Sequence, residues 1–321
     1  MSKYKEMNMG KIKPTSIKTR KSKIKIEDFA SPLLPDSSFD TFWKSLPRVL
    51  AGQDLHELVK LIIQAVHSEK PVLVMMGAHV IKVGLSPIIV DLFKYGVVQG
   101  IALNGAGAIH DVELAYFGKT SEDVASSLKD GQFGMVRETA EILNQTATES
   151  KEKKLGFGEA LGGRIVREKP VHLDLSILGQ AYRSSIPVTV HVALGTDIVH
   201  QHPSADGCSI GETSLRDFRI WAQLVSQIGN GGVVLLFGSS VILPEVFLKA
   251  LTVARNIGGE ISRFTTANFD MIRHYRPQVN LVERPTQDGG KGFTFIGHHE
   301  IMVPLLAAAV KEELAGKGSV R

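Results

Sequence analysis

The sequence predicts an α/β fold built on one doubly wound, mainly parallel sheet. Three observations carry the prediction. Short runs of uniformly apolar residues recur along the chain, amphipathic stretches separate them, and a turn rich in glycine comes after nearly every run. Strands that are covered by helices on both faces lose the alternation of polar and apolar residues, so runs of this kind belong to parallel sheets.

Taken in order, Asp54–His67 has helical periodicity with Asp54 as its expected N-cap, and Pro71–Met76 is the first buried strand. A helix is expected from about Ser86 to Tyr95, then a strand over Val97–Leu103, which gives strand–helix–strand at the spacing of a parallel crossover. The pattern returns with a helix over Leu175–Arg183, a strand over Pro187–Ala193, a helix over Leu215–Ile228 and a strand over Gly232–Phe237. Pro244–Asn256 reads as a further helix, and Glu260–Thr266 and Gly292–Ile296 as further strands. Glu149–Gly163, rich in Lys and Gly, reads as a mobile insertion, a lid or an oligomer contact. Ile26–Trp43, punctuated by Pro and Ser, is expected to wrap over the surface. There is no internal repeat.

With 321 residues, 43% of them hydrophobic, the chain can bury a large core. No apolar run reaches the roughly 18 residues that span a bilayer, and no signal-like apolar segment comes after the basic N-terminus. A single cysteine, Cys208, excludes an internal disulfide and a multi-cysteine metal site. The expectation is a cytoplasmic protein without a membrane partner. Residues 1–25 carry nine Lys or Arg against Glu6 alone, so with a net charge of +4 the remainder sits near −4. We therefore divide the chain into a basic flexible tail, 1–25, and a single α/β domain, 26–321. Only the tail has the charge to touch nucleic acid.

Open parallel sheets bind ligands beyond the carboxyl ends of their strands, so the turn after each strand is a candidate site wall. Gly77-Ala78-His79 and Gly84 come after the first strand, and Asn104-Gly105-Ala106-Gly107 runs on to His110-Asp111 after the second. Gly195 to Pro203, with Asp197, His200 and His202, lies after the third. Gly238-Ser239-Ser240, then Ala267 to Asp270, then Gly297-His298-His299 lie after the rest. Small residues let a ligand approach the backbone, whose N–H groups at helix starts suit a pyrophosphate. Together these turns describe a nucleotide-sized site centred on Gly77–Gly84 and Asn104–Asp111. Seven of the eleven histidines lie in or beside them. His110, Asp111, Asp197, His200 and His202 have the residue types of general acid–base chemistry. Asp197, His200, His202, His298 and His299 form the alternative, a metal-ligand set. His191, inside a strand, reads as a core histidine.

These loops, in this order, resemble the deoxyhypusine synthase family from about Pro71 to Val310. Gly77-Ala78-His79 with Gly84 stands where the family has Thr-Ser-Asn and Gly. Asn104–Asp111 matches its Thr-Ala-Gly-Gly loop with a subsequent acidic residue. Ile186-Pro187-Val188 with Ala193–Asp197 matches its Ile-Pro-Val and Ala-Leu-Thr-Asp. Thr266-Ala267 with Phe269-Asp270 matches its Thr-Ala and Phe-Asp, and Pro304-Leu305-Leu306 closes the match. The resemblance implies a Rossmann-like NAD-binding fold, a homotetramer and active sites at subunit interfaces. It implies NAD contacts from Gly77, Ala78, His79, Gly105, Ala106, Gly107, Gly238, Ser239, Thr266, Ala267, Asp270 and His298.

The sequence departs from the family where its transfer chemistry resides. Gly238–Glu245 lacks the histidines of the family's Gly-rich loop, and Arg273 stands within the stretch that is acid-rich in the family. Glu283-Arg284-Pro285 falls near its imine-forming lysine, and His298 near its C-terminal aspartate. Lys291 replaces the lysine only if its loop shifts, and Lys82 and Lys249 read as surface residues. The reading is a deoxyhypusine synthase-like, NAD-binding enzyme of transferase or oxidoreductase type, whose small-molecule substrate is not a polycation. The alternatives are a metal-dependent hydrolase or lyase and a non-catalytic scaffold.

Overall fold

A computed structural model describes residues 2–316. Contacts group the chain into two units, Met1–Gln53 and Asp54–Arg321. In the first, helix α1 (Phe39–Ser45) starts where the Ser38 hydroxyl accepts the Thr41 N–H at 3.2 Å. Helix α2 (Leu50–His67) enters the second. Asp54 lies inside α2, because the helix begins four residues before the first apolar repeat.

The second unit runs β1 (Val72–Met76), α3 (His79–Lys82), α4 (Ser86–Lys94), β2 (Gly100–Asn104), α5 (Gly105–Phe117), α6 (Val124–Ser127), α7 (Arg137–Lys153), α8 (Phe157–Glu168), α9 (Ile177–Arg183), β3 (Val188–His191), α10 (Gly207–Val225), β4 (Val233–Phe237), α11 (Ile242–Asn256), β5 (Thr265–Asp270), α12 (Tyr275–Pro277), β6 (Lys291–Ile296) and α13 (His299–Gly316). A π-helical turn, Gln278–Glu283, lies between α12 and β6. The six strands form one sheet in the order β3-β2-β1-β4-β5-β6, every pair parallel. Helices cover both sides. The doubly wound parallel sheet is thus present.

β1, β3 and β4 are buried along their whole length, which is why their sequences do not alternate. Leu73, Met75, Val234 and Leu236 pack with Trp221 and Val225 of α10 and Phe247 and Leu251 of α11 in one apolar cluster. Phe237, Phe269 and Phe295 run across β4, β5 and β6 with ring centroids 5.2 and 4.6 Å apart. Such pairs add about 0.5–1.5 kcal/mol each beyond area burial.

Two expectations change. Glu149–Gly163 is the end of α7 and the first half of α8, with Phe157 and Leu161 buried. Its glycines serve close packing: a Cβ on Gly158 would lie 2.1 Å from the Val188 carbonyl oxygen. The fifth strand lies later than expected, at Thr265–Asp270, so its paired residues are Thr265–Phe269 with Val233–Phe237 and Thr265–Asp270 with Lys291–Ile296.

Candidate functional site

The strand order reverses at β1, whose neighbours are β2 on one side and β4 on the other. The carboxyl ends of β1 and β4 therefore flank the topological switch point, where open α/β sheets bind ligands. Two expected glycines meet there. The Gly77 N–H donates to the Phe237 carbonyl at 2.9 Å, and a Cβ on Gly77 would sit 2.2 Å from the Gly238 carbonyl oxygen. Gly238 takes φ 62°, and a Cβ on it would strike the His299 ring at 2.5 Å. Neither position tolerates a side chain, so the turns after β1 and β4 pack closely against each other and against His299 at the switch point.

His79, at the start of α3, and His299, at the start of α13, face each other with ring centroids 5.4 Å apart. Burial, and then the neighbouring His299, lower the pKa of His79. His299 is buried, with Nε2 at 3.1 Å from the Phe269 carbonyl. A carbonyl only accepts, so Nε2 is the donor in this pair, and Nδ1 is buried without a hydrogen-bond partner among the described residues. Asp270 ends β5 beside His274, 3.9 Å away, and its Oδ1 accepts the Met271 N–H at 2.8 Å. Ser239 Oγ accepts the Leu243 N–H at 3.3 Å near the start of α11, and Ala78 directly precedes α3.

The second cluster stands at the ends of β2 and β3. Asn104 Oδ1 accepts the Gly107 N–H at 2.9 Å and caps α5, which begins directly at the strand end. Asp197 lies against this first turn: a Cβ on Gly105 would be 1.9 Å from Asp197 Oδ2. Burial raises the Asp197 pKa, with His200 opposing. Ala106, His110 and Asp197 line a cleft of about 780 Å³, together with Lys82, Glu113, Lys119 and Thr120. That volume suits a small molecule or half of a dinucleotide. Lys82 therefore faces this cleft rather than open surface alone.

Sequence reasoning missed Glu113 and Thr120. His110 Nδ1 meets Thr120 Oγ1, whose hydroxyl donates to Glu113 Oε2, while Thr139 Oγ1 donates to Glu113 Oε1 at 3.0 Å. The i,i+3 spacing of His110 and Glu113 becomes a signal only once α5 is seen to begin at Gly105; Thr120, in the loop after α5, gave none.

Other expected site residues lie elsewhere. Asp111 is buried and accepts from Ser176 Oγ at 2.6 Å and from the N–H groups of Ile177 and Leu178 at 2.7 and 3.1 Å. It anchors the start of α9, and burial raises its pKa to about 6. His200 Nδ1 accepts the N–H groups of Gly195 and Asp197 at 3.1 and 3.2 Å, which ties the loop to itself. His202 Nε2 is 2.9 Å from the Gly134 carbonyl. Thr266 and Ala267 are fully buried within β5 instead of in a loop at its end, because the strand runs on to Asp270. Thr266 Oγ1 donates to the Leu281 carbonyl. His298 is exposed beside Glu300. His191 is buried, with its pKa lowered to about 3 by desolvation.

The alternative metal set is not assembled. Asp197, His200 and His202 lie after β3, whereas His298 and His299 lie after β6 at the opposite end of the sheet. Among the described residues no three His, Cys, Asp or Glu side chains form a group suited to a metal. Lys291 opens β6, at the amino end of the strand, and pairs with Glu57, so it does not stand in for the missing lysine. Lys249 is paired with Glu245.

No protein-family model and no curated protein matches the sequence. Among solved structures, the chain is similar to the ternary complex of AgrE with ornithine and NAD+, at 12% identity and a TM-score of 0.54, over 82% of this chain and 33% of that one. A structure described as a conserved LOR/SDH protein from Methanococcus maripaludis S2 aligns at 12% identity and a TM-score of 0.50, over 87% and 71%. One described as a deoxyhypusine synthase from Entamoeba histolytica aligns at 10% identity over 85% and 93%, but its TM-score of 0.49 adds no weight. The chain spans about a third of the AgrE chain's length. At these identities what is shared is the fold. The Rossmann-like fold that the resemblance to deoxyhypusine synthases implies is the fold of this chain.

Proposed function

We propose that the chain is an NAD-binding enzyme acting on a small molecule at the carboxyl edge of its sheet. The observation that carries this reading is the meeting of Gly77 and Gly238 at the β1/β4 switch point of a 3-2-1-4-5-6 parallel sheet. In this reading the turns at the switch point receive the dinucleotide, and Gly77, Ala78, His79, Gly238 and Ser239 are the residues that would hold it. Gly105, Ala106 and Gly107, at the start of α5, would line its other half. The NAD+ complex of AgrE, on a similar fold, supports the reading. Bound NAD would supply a hydride acceptor.

The chain's own contribution is positional. His110 of α5 stands in the cleft as a proton acceptor, and Asp197, whose carboxyl burial makes easier to protonate, lines the same cleft. By the resemblance to deoxyhypusine synthases, Arg273, held by Gln278, and Arg284, held by Asn280, fall near the positions of that family's acid-rich stretch and its lysine. This supports a substrate other than a polyamine. Self-association as a tetramer and a cytoplasmic location belong to the same reading. Among the described residues, no helix is long and apolar enough to cross a membrane.

The test is thermal unfolding with and without NAD+ or NADH. Ligand at a hundred times its Kd stabilises by about 2.7 kcal/mol, a readable rise in Tm. An unchanged Tm at millimolar NAD+ and NADH would reject the cofactor assignment.

A further inference from the structure

We infer that Glu113 and Thr120 are positioning residues that fix the proton of His110 on Nδ1 and present its Nε2 as the base of the cleft. This rests on the reading of the cleft as the reaction site. It does not depend on the identity of the cofactor.

Donor and acceptor counting leads there. Burial pushes the Glu113 pKa up, but the nearby His110 ring and the hydrogen bonds from Thr120 and Thr139 outweigh it and hold the carboxyl below the usual glutamate range. Glu113 is therefore ionised at neutral pH and can only accept. Its Oε1 takes the Thr139 hydroxyl proton, and its Oε2 takes that of Thr120. A hydroxyl has one proton to give. With that proton committed to Glu113, Thr120 Oγ1 can meet His110 Nδ1 only as an acceptor, so Nδ1 must carry hydrogen. Neutral imidazole has one N–H, which leaves Nε2 with its lone pair. Nε2 makes no hydrogen bond among the described residues, and His110 lines the cleft.

The pieces come from separate elements. His110 and Glu113 sit one helical turn apart on α5, Thr120 comes after the helix and its Gly118 cap, and Thr139 comes from α7. Three segments thus converge on one carboxylate, more than a surface hydrogen bond requires. The chemical consequence is a proton transfer. A substrate hydroxyl or ammonium in the cleft gives its proton to Nε2, the O–H or N–H electron pair stays on the substrate, and the ring becomes imidazolium. Glu113 Oε2, 3.8 Å from Nδ1, stabilises that charge without taking the proton.

Selective 15N labelling of histidine, read by long-range proton–nitrogen correlation at a pH where the ring is neutral, reports which nitrogen carries the proton. His110→Gln identifies the His110 signals by their loss. In the full chain, the δ1 nitrogen of His110 should be of the protonated, pyrrole type. Thr120→Val together with Glu113→Ala should move it towards the pyridine type, whereas Thr120→Ser alone should leave it pyrrole-like. An ε2-protonated His110 in the unsubstituted protein overturns the inference, as does a δ1-protonated ring that survives the double substitution. If the double variant does not fold, the spectrum of the unsubstituted protein decides alone. NAD+ titration is a separate measurement, so loss of the cofactor assignment would not register in this spectrum.

Discussion

Gly105 and Asp197 depend on each other's shape. The Asp197 carboxylate occupies the space where any other residue at 105 would carry its Cβ, 1.9 Å from Oδ2. Gly105→Ala must therefore displace Asp197, at a cost of about 1–3 kcal/mol for overpacking. The same substitution at the start of a helix gains a fraction of the roughly 1 kcal/mol by which alanine exceeds glycine. In an Asp197→Ala background the clash is gone, and Gly105→Ala should become neutral or stabilising. Urea unfolding of the four proteins measures the coupling; equal effects of Gly105→Ala in both backgrounds would show that the contact is not maintained. Asp217 gives a second prediction. It is fully buried in α10, with Oδ2 accepting from Val190 and Gly158 at 2.7 and 2.9 Å and Oδ1 unpartnered. Burial raises its pKa to about 7, against about 3.9 in an unfolded chain. The folded state thus holds this proton more tightly. The stabilisation is complete below about pH 4 and is lost as pH rises through about 7. Asp217→Asn cannot ionise, so its stability relative to the unsubstituted protein should improve between pH 4.5 and 8. A pH-independent difference between the two would contradict this.

At the scale of elements, Asp111 illustrates how a chemical residue type can be taken for a site residue. In the sequence it comes directly after His110, in a loop that resembles a nucleotide-binding turn. In the structure α5 begins at Gly105, so 110 and 111 point to different sides of a helix, His110 to the cleft and Asp111 to α9. Helical periodicity is invisible there because Gly105–Ile109 is small and apolar on all sides. A scarcity of large apolar residues hides the start of α10. Gly207–Ser214 has only Ile210 as a large buried apolar residue, although Asp206 caps the helix by accepting from Cys208 and Ser209. The strands, by contrast, can be read within a few residues, since full burial on both faces leaves an unmistakable apolar run. β5 is the exception, because Thr265, Thr266, Asn268 and Asp270 make most of it polar. From its place at the start of α9, Asp111→Ala should strip three hydrogen bonds from buried donors and lower the unfolding free energy by about 3 kcal/mol or more. Ligand binding by whatever protein remains folded should persist, since the carboxylate lies behind the cleft. Denaturant unfolding combined with an NAD+ titration separates the two roles.

For the molecule as a whole, the seam between β1 and β4 joins two halves of the sheet and forms the floor of the proposed cofactor crevice. Gly77 and Gly84 lie seven residues apart in the same expected loop, yet the structure assigns them different tasks. Gly84 has φ 80° and open space around its Cα, so Gly84→Ala meets only backbone strain, about 1 kcal/mol. Gly77 has no such conformational demand; its constraint is the Gly238 carbonyl, 2.2 Å from where a Cβ would stand. A backbone oxygen cannot rotate aside, and Gly77 also holds β4 through its bond to Phe237. Gly77→Ala must therefore part β1 from β4 at their carboxyl ends, and the crevice opens with them. The expected result is a larger loss of stability than in Gly84→Ala and, in the fraction that folds, loss of the rise in Tm with NAD+. Gly84→Ala should keep that rise. The two proteins measured side by side, by urea unfolding and by Tm with and without NAD+, set a fold-wide defect apart from a local one. An NAD+ response retained in Gly77→Ala would move the cofactor away from the switch point and towards the cleft between β2 and β3.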